Sequence, residues 1–151
     1  MSRTGVTMVM QARLVKAALQ AAQASYSPYS RFPVGAALLV DGGKVYAGCN
    51  VENASYGLTL CAERVAVLKA VSEGKRKFRA LAVAGGRNRA VRPCGACLQV
   101  LAEFCDPALT IFLTSLDKPG KVETVTLATL LPQVFRKEDV RRQKTGEGIQ
   151  E

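Results

Sequence analysis

Two short patterns restrict this chain more than anything else in it. Cys61-Ala62-Glu63 opens one helical segment, and Pro93-Cys94-Gly95-Ala96-Cys97 opens another. Helix N-termini carry partial positive charge and unpaired N–H groups, which lower thiol pKa values and favour thiolates. The i, i+3 spacing puts Cys94 and Cys97 on one helix face. If Cys61 is to share an ion with them, the fold must bring the starts of two helices side by side. Three thiolates leave one position of a tetrahedral zinc open to water, which marks a catalytic rather than a structural site. Glu63 lies two residues past Cys61, turned off the ligand face but still in the first turn. It is placed to act beside a metal without binding it. Three thiolates concentrate negative charge, and Arg64 is the adjacent cation that can hydrogen-bond the sulfurs.

Composition narrows the chemistry further. The 151-residue chain has no histidine, which removes a Ser-His-Asp triad, a Cys-His protease and any imidazole metal ligand. Its five cysteines are an odd number, and the opening MSRTGVTMVMQAR lacks a secretory pattern. Both argue against a disulfide framework and for a cytoplasmic location. No apolar run approaches the roughly 20 residues of a membrane helix, so no membrane partner is expected. The net charge of +9 gathers around Lys75-Arg76-Lys77, Arg79, Arg87, Arg89 and Arg92. Such clusters are usually solvated surface. As a nucleic-acid footprint they lack interleaved aromatics beyond Phe78, so that partner is not expected.

Hydrophobic spacing supplies the elements. Met10, Leu14, Ala17 and Ala21, with Val15, Ala18 and Ala22, predict an amphipathic helix over about 8–25. Val34–Val40 and Lys44–Val51 read as a hairpin, with Asp41-Gly42-Gly43 supplying positive φ angles for its turn. A polar loop covers 52–60. The helix from Cys61 to about Gly74 is apolar around most of its circumference and should be buried on several sides. Ala80–Ala84 reads as a strand, 85–92 as a loop, and Cys94–Phe104 as a helix. Leu109–Thr114 and Val122–Thr126 read as strands, and Leu127–Leu131 as a short helical turn. This order predicts one α/β domain over residues 1–135, a three-layer sandwich with a mixed central sheet. Residues 136–151 are polar without a core pattern and read as a disordered or loosely helical tail.

Each candidate has an ordinary reading beside the chemical one. Buried cysteines are often small apolar filling, and this suits Cys49 and Cys105, which lack a partner at metal spacing. Phe32 and Phe135 alone would be core aromatics, and Asn53 and Ser55 loop caps. A lone Cys-x-x-Cys is a weak signal. Joined to an upstream Cys-x-Glu, it fits the signature of zinc deaminases.

The longer stretches Phe32–Leu38 (FPVGAAL), Asn50–Gly57 (NVENASYG), Cys61–Arg64 (CAER) and Pro93–Cys97 (PCGAC) resemble the small, homotetrameric, zinc-dependent cytidine deaminases. The match continues through Val100–Phe104 and Leu130–Phe135, covering roughly residues 14–140. The resemblance implies zinc held by Cys61, Cys94 and Cys97, one ion per chain, with Glu63 as proton shuttle. It implies a nucleoside pocket formed by Phe32, Asn50 and Glu52, with the Asn and Glu on the ribose hydroxyls. Tyr56 and Ala62 would sit at its rim, and Phe135 would stack in a neighbouring subunit's site. The implied reaction is hydrolytic deamination of cytidine and 2′-deoxycytidine in pyrimidine salvage. The chain departs from the family pattern at Leu98, where arginine is common, at Val65, where threonine is common, and at Arg136-Lys137, where Gly-Pro is frequent. Two other readings remain open: a deaminase of an aminonucleoside or of single-stranded nucleic acid, and a non-enzymatic zinc module. Glu63 opposes the last, because a structural zinc needs four protein ligands and no acid.

Overall fold

The computed structural model describes residues 6–140. Helix α1 (Met8–Ala22) precedes the hairpin of β1 (Val34–Val40) and β2 (Val45–Cys49). Then come α2 (Ala62–Ser72), β3 (Phe78–Gly85), α3 (Gly95–Phe104), β4 (Thr110–Thr114), β5 (Val122–Thr126) and the single turn α4 (Leu127–Leu130). The five strands lie in the order β2-β1-β3-β4-β5. Only β3 and β4 are parallel neighbours, and α3 is the crossover between them. The mixed sheet of the sequence reading is therefore present.

Strand residues alternate between two helical layers, as a period of two requires. Ala36, Leu38, Val40, Leu81, Val83, Ile111 and Leu113 face α2 and α3, where they meet Ala66, Val67 and Leu101. Ala37, Leu39, Ala80, Ala82, Ala84 and Phe112 face α1, where they meet Leu14, Val15 and Ala18. The face towards α1 is rich in alanine, so that helix lies close. At Gly35 there is no room for a side chain: a Cβ there would stand 1.9 Å from the Ala18 carbonyl oxygen. Gly48 does the same for α2, where a Cβ would stand 2.7 Å from the Ala66 nitrogen. Backbone thus rests on backbone at both contacts, and the second fixes the height of α2, whose start carries Cys61.

Several boundaries differ from the sequence reading. The first helix ends at Ala22 rather than 25, because the chain turns to bring Tyr26 into a bridge with Val51. β2 stops at Cys49, since Val51 pairs with Tyr26 and Leu60 instead of continuing the ladder. β3 runs longer than Ala80–Ala84, because Phe78 pairs with Val40 and Gly85 with Val34. Both cysteine-bearing helices begin one residue late, with Cys61 and Cys94 as their N-caps. The hairpin turn has the expected positive φ at Gly42 and Gly43, 89° and 85°. In the tail, residues 137–140 form a helical turn, closed by the Asp139 carboxylate accepting from the Arg136 N–H at 2.8 Å. Residues 141–151 lie outside the described residues.

Candidate active site

The caps of α2 and α3 meet above the edge of the core. Cys61 Sγ lies 3.9 Å from Cys94 Sγ, and Cys94 Sγ lies 3.5 Å from Cys97 Sγ. All three sulfurs fall within 4.8 Å of one another. Cys97 is buried, Cys61 half-buried and Cys94 exposed. Neither cap cysteine bonds the helix backbone with its side chain, so both sulfurs are free for other work. Cys49 and Cys105 stand apart from this group. Burial pushes the Cys105 thiol up to about 12, consistent with an inert packing role.

Electrostatics divide the trio. The Cys61 thiol is drawn down to about 5, first by the hydrogen bond from Cys97 and then by Arg64. The Cys97 thiol is pushed up, by donating that hydrogen bond and by burial. Arg64 Nη2 donates to Cys61 Sγ at 3.3 Å. Its Nε is buried without a protein partner, so the guanidinium has spare donor capacity against a more highly charged sulfur cluster. Three clustered thiols, a spare cationic donor and no fourth ligand among the described residues fit a zinc ion with one open position.

Glu63 is 4% exposed. Its Oε2 lies 3.7 Å from Cys97 Sγ, and burial raises its pKa above the usual carboxylate value. The cluster floors a pocket of about 340 Å³ lined by Phe32, Asn50, Glu52, Cys61, Ala62, Glu63 and Cys94. Asn50 is buried and clamps the pocket wall. Its Oδ1 accepts from Val34 N at 2.9 Å and also from Ser25 Oγ, while its Nδ2 donates to the Phe32 carbonyl at 2.8 Å. One amide hydrogen is left over. Glu52 Oε1 accepts from the backbone N–H groups of Tyr29 and Ser30, at 2.9 and 3.1 Å. Together with the Ser30 side chain, the largest influence, these hold its pKa below the ordinary value.

The remaining expected residues fall near the pocket or away from it. Tyr56 packs edge-on against Tyr29, ring centres 5.6 Å apart, and lines an adjoining hollow that shares Ser30, Glu52 and Thr59 with the pocket. Phe135 is exposed and outside the pocket lining; its carbonyl accepts from Gln99 Nε2 at 2.7 Å. Leu98 is buried in the core beside Leu101, so its side chain adds packing there. Asn53 Oδ1 accepts from Ser55 N at 2.8 Å, the loop-capping role expected of it. Sequence reasoning did not single out Ser30, Val34, Thr59, Val91 or Arg92 as lining residues. Only Arg92 carried a signal, by standing two positions before Cys94.

Comparison with known proteins agrees with this geometry. Residues 8–113 match the family described as the cytidine and deoxycytidylate deaminase zinc-binding region. A cytidine deaminase of Sporosarcina psychrophila is 51% identical, over 85% of this chain and 93% of its own. One from Mycobacterium tuberculosis is 48% identical, over 84% and 90%. Among solved structures, the cytidine deaminase of Burkholderia pseudomallei superposes with a TM-score of 0.78 at 47% identity, covering 82% of this chain and 98% of its own. Matched in sequence across both helices that bring its thiols together, and in structure over most of its length, this chain belongs to the cytidine and deoxycytidylate deaminase family.

Proposed function

We propose that this chain is a cytidine deaminase that hydrolyses the C4 amine of cytidine and 2′-deoxycytidine, giving the uridine nucleoside and ammonia. One observation carries the reading: a buried glutamate, Glu63, beside three clustered thiols at the floor of a nucleoside-sized pocket. Zinc held by Cys61, Cys94 and Cys97, one ion per chain, would supply an activated water as nucleophile. Glu63 would accept a proton from the water that adds to C4 and pass it to ring N3, and would then carry that water's second proton to the amine as the C4–N bond breaks. Burial raises its pKa above the usual carboxylate value, the direction that helps a carboxylate both take and return a proton. Arg64 offsets the charge of the sulfurs. Glu52 only accepts hydrogen bonds, so a sugar hydroxyl can donate to it, whereas a phosphate would be repelled. Asn50 keeps one amide hydrogen for the sugar, and Phe32 packs against the nucleoside.

Residues 1–135 are the catalytic domain in this reading, with 136–151 appended. The free thiols suit a place in cytoplasmic pyrimidine salvage. Self-association, as a homotetramer in this reading, would cover the exposed Phe32 of the pocket and Tyr29 and Tyr56 of the adjoining hollow. Tyr56 forms its rim, and Phe135 would complete a neighbour's site. The test is loss of cytidine absorbance on adding purified protein, with and without a chelator. Cytidine 5′-monophosphate and a single-stranded oligonucleotide serve as competing substrates. Turnover of cytidine that stops with chelator is expected; faster turnover of the oligonucleotide at low and moderate salt would overturn the reading.

A further inference from the structure

We propose that Arg92 is a substrate-binding residue of this pocket and that Glu123 positions it. The inference rests on the deaminase reading above. Among the described residues, Arg92 is the only cation lining the pocket. Its Nη2 donates to Glu123 Oε1 at 2.5 Å, with both side chains about half exposed, 49% and 45%. Glu123 stands on the edge strand β5, opposite Leu113 of β4. The pair thus reaches from the edge of the sheet to the loop just before α3. Ion pairs this exposed contribute little to stability, so folding alone gives scant reason for it.

The chemistry of the pocket gives a better one. Its other charged walls, Glu52 and Glu63, are carboxylates, and Cys61 and Cys94 bring the sulfurs. A pyrimidine nucleoside presents a ring carbonyl and several hydroxyl oxygens that need donors. Asn50 has spent most of its hydrogen bonds on the chain itself. The Arg92 guanidinium carries five N–H groups in a planar fork, and the link to Glu123 occupies only part of it. Glu123 fixes the direction of that fork and offsets its charge. The free donors of Arg92 hold an oxygen of the bound nucleoside, and the ligand loses that contact when the fork is removed.

The test is steady-state kinetics on cytidine for Arg92→Ala, Arg92→Lys, Glu123→Gln and the double variant Arg92→Ala/Glu123→Gln. Zinc content and melting temperature are measured alongside. Arg92→Ala should raise KM about tenfold, the loss of one hydrogen bond to a charged donor, with kcat changed less than about twofold. Arg92→Lys should recover part of the loss. Glu123→Gln should raise KM by less, and should add nothing in the Arg92→Ala background. Zinc and melting temperature should stay at wild-type values. An Arg92→Ala protein with wild-type KM, or one whose KM rises only together with zinc loss, would overturn the proposal. The second result would show Arg92 holding the Cys94 loop rather than the substrate. If the wild-type protein itself does not turn over cytidine, the deaminase reading fails and this inference falls with it. If the wild type is active and Arg92→Ala matches it, this inference alone falls.

Discussion

At the scale of single residues, the reading turns on Glu63. Glu63→Gln keeps the size and the hydrogen-bonding shape but cannot carry a proton. Turnover should drop by at least about 10²-fold while zinc remains bound, measured by initial rates and metal analysis on the same sample. The thiols divide in the same way. Cys94→Ala should lose the metal, whereas Cys105→Ala, a buried thiol away from the cluster, should keep it. Retained zinc in Cys94→Ala would mean that the cluster is not the binding site. Cys61, Glu63, Arg64, Cys94 and Cys97 were legible because helix geometry converts spacing directly into direction. Phe32, Asn50 and Glu52 have no such local code. They sit before, between and after strands, and only a family resemblance pointed to them. Thr59, Val91 and Arg92 became pocket walls through packing between distant segments, which no local spacing records.

At the scale of elements, the close seats of α1 and α2 carry the sharpest expectation. Gly35→Ala would drive a methyl group into the Ala18 carbonyl, and a backbone oxygen cannot swing aside. The loss should reach the upper end of the ~1–3 kcal/mol typical of overpacking, read as a lowered denaturation midpoint. Gly120→Ala is the control, since nothing lies within 4 Å of the added carbon; its midpoint should not fall. Equal midpoints for the two variants would contradict the backbone contact. Element order and type were readable because the apolar runs and the Asp41-Gly42-Gly43 turn are local signals. The ends were not. β3 is extended by the pairing of Phe78 and Gly85 with β1, and β2 is cut short by a bridge that Val51 makes elsewhere. Those events depend on partners far along the chain.

At the scale of the whole molecule, exposed Tyr29 and Tyr56 line the hollow beside the pocket, and Phe135 stands exposed outside the pocket lining of its own chain. If neighbouring copies cover that surface, the active species is an oligomer with closed symmetry. Light scattering coupled to an activity assay should find turnover only in the tetramer fraction, and an active monomer would refute the assembly. The helix ends lead to something else. Most helices open on Ser, Thr, Asp or Asn, whose side chains bond the first free N–H groups. α2 and α3 open instead on Cys61 and Cys94, which make no such bond. The apolar contacts beneath, from Ala66, Val67 and Leu101, do not involve these sulfurs. Metal-stripped protein should therefore keep its sheet and fray only at two neighbouring corners, with faster amide exchange near Ala62–Arg64 and Gly95–Cys97. Reloading then resembles closing a clasp on a finished frame. Activity should return on adding zinc at room temperature, with no denaturation and renaturation cycle.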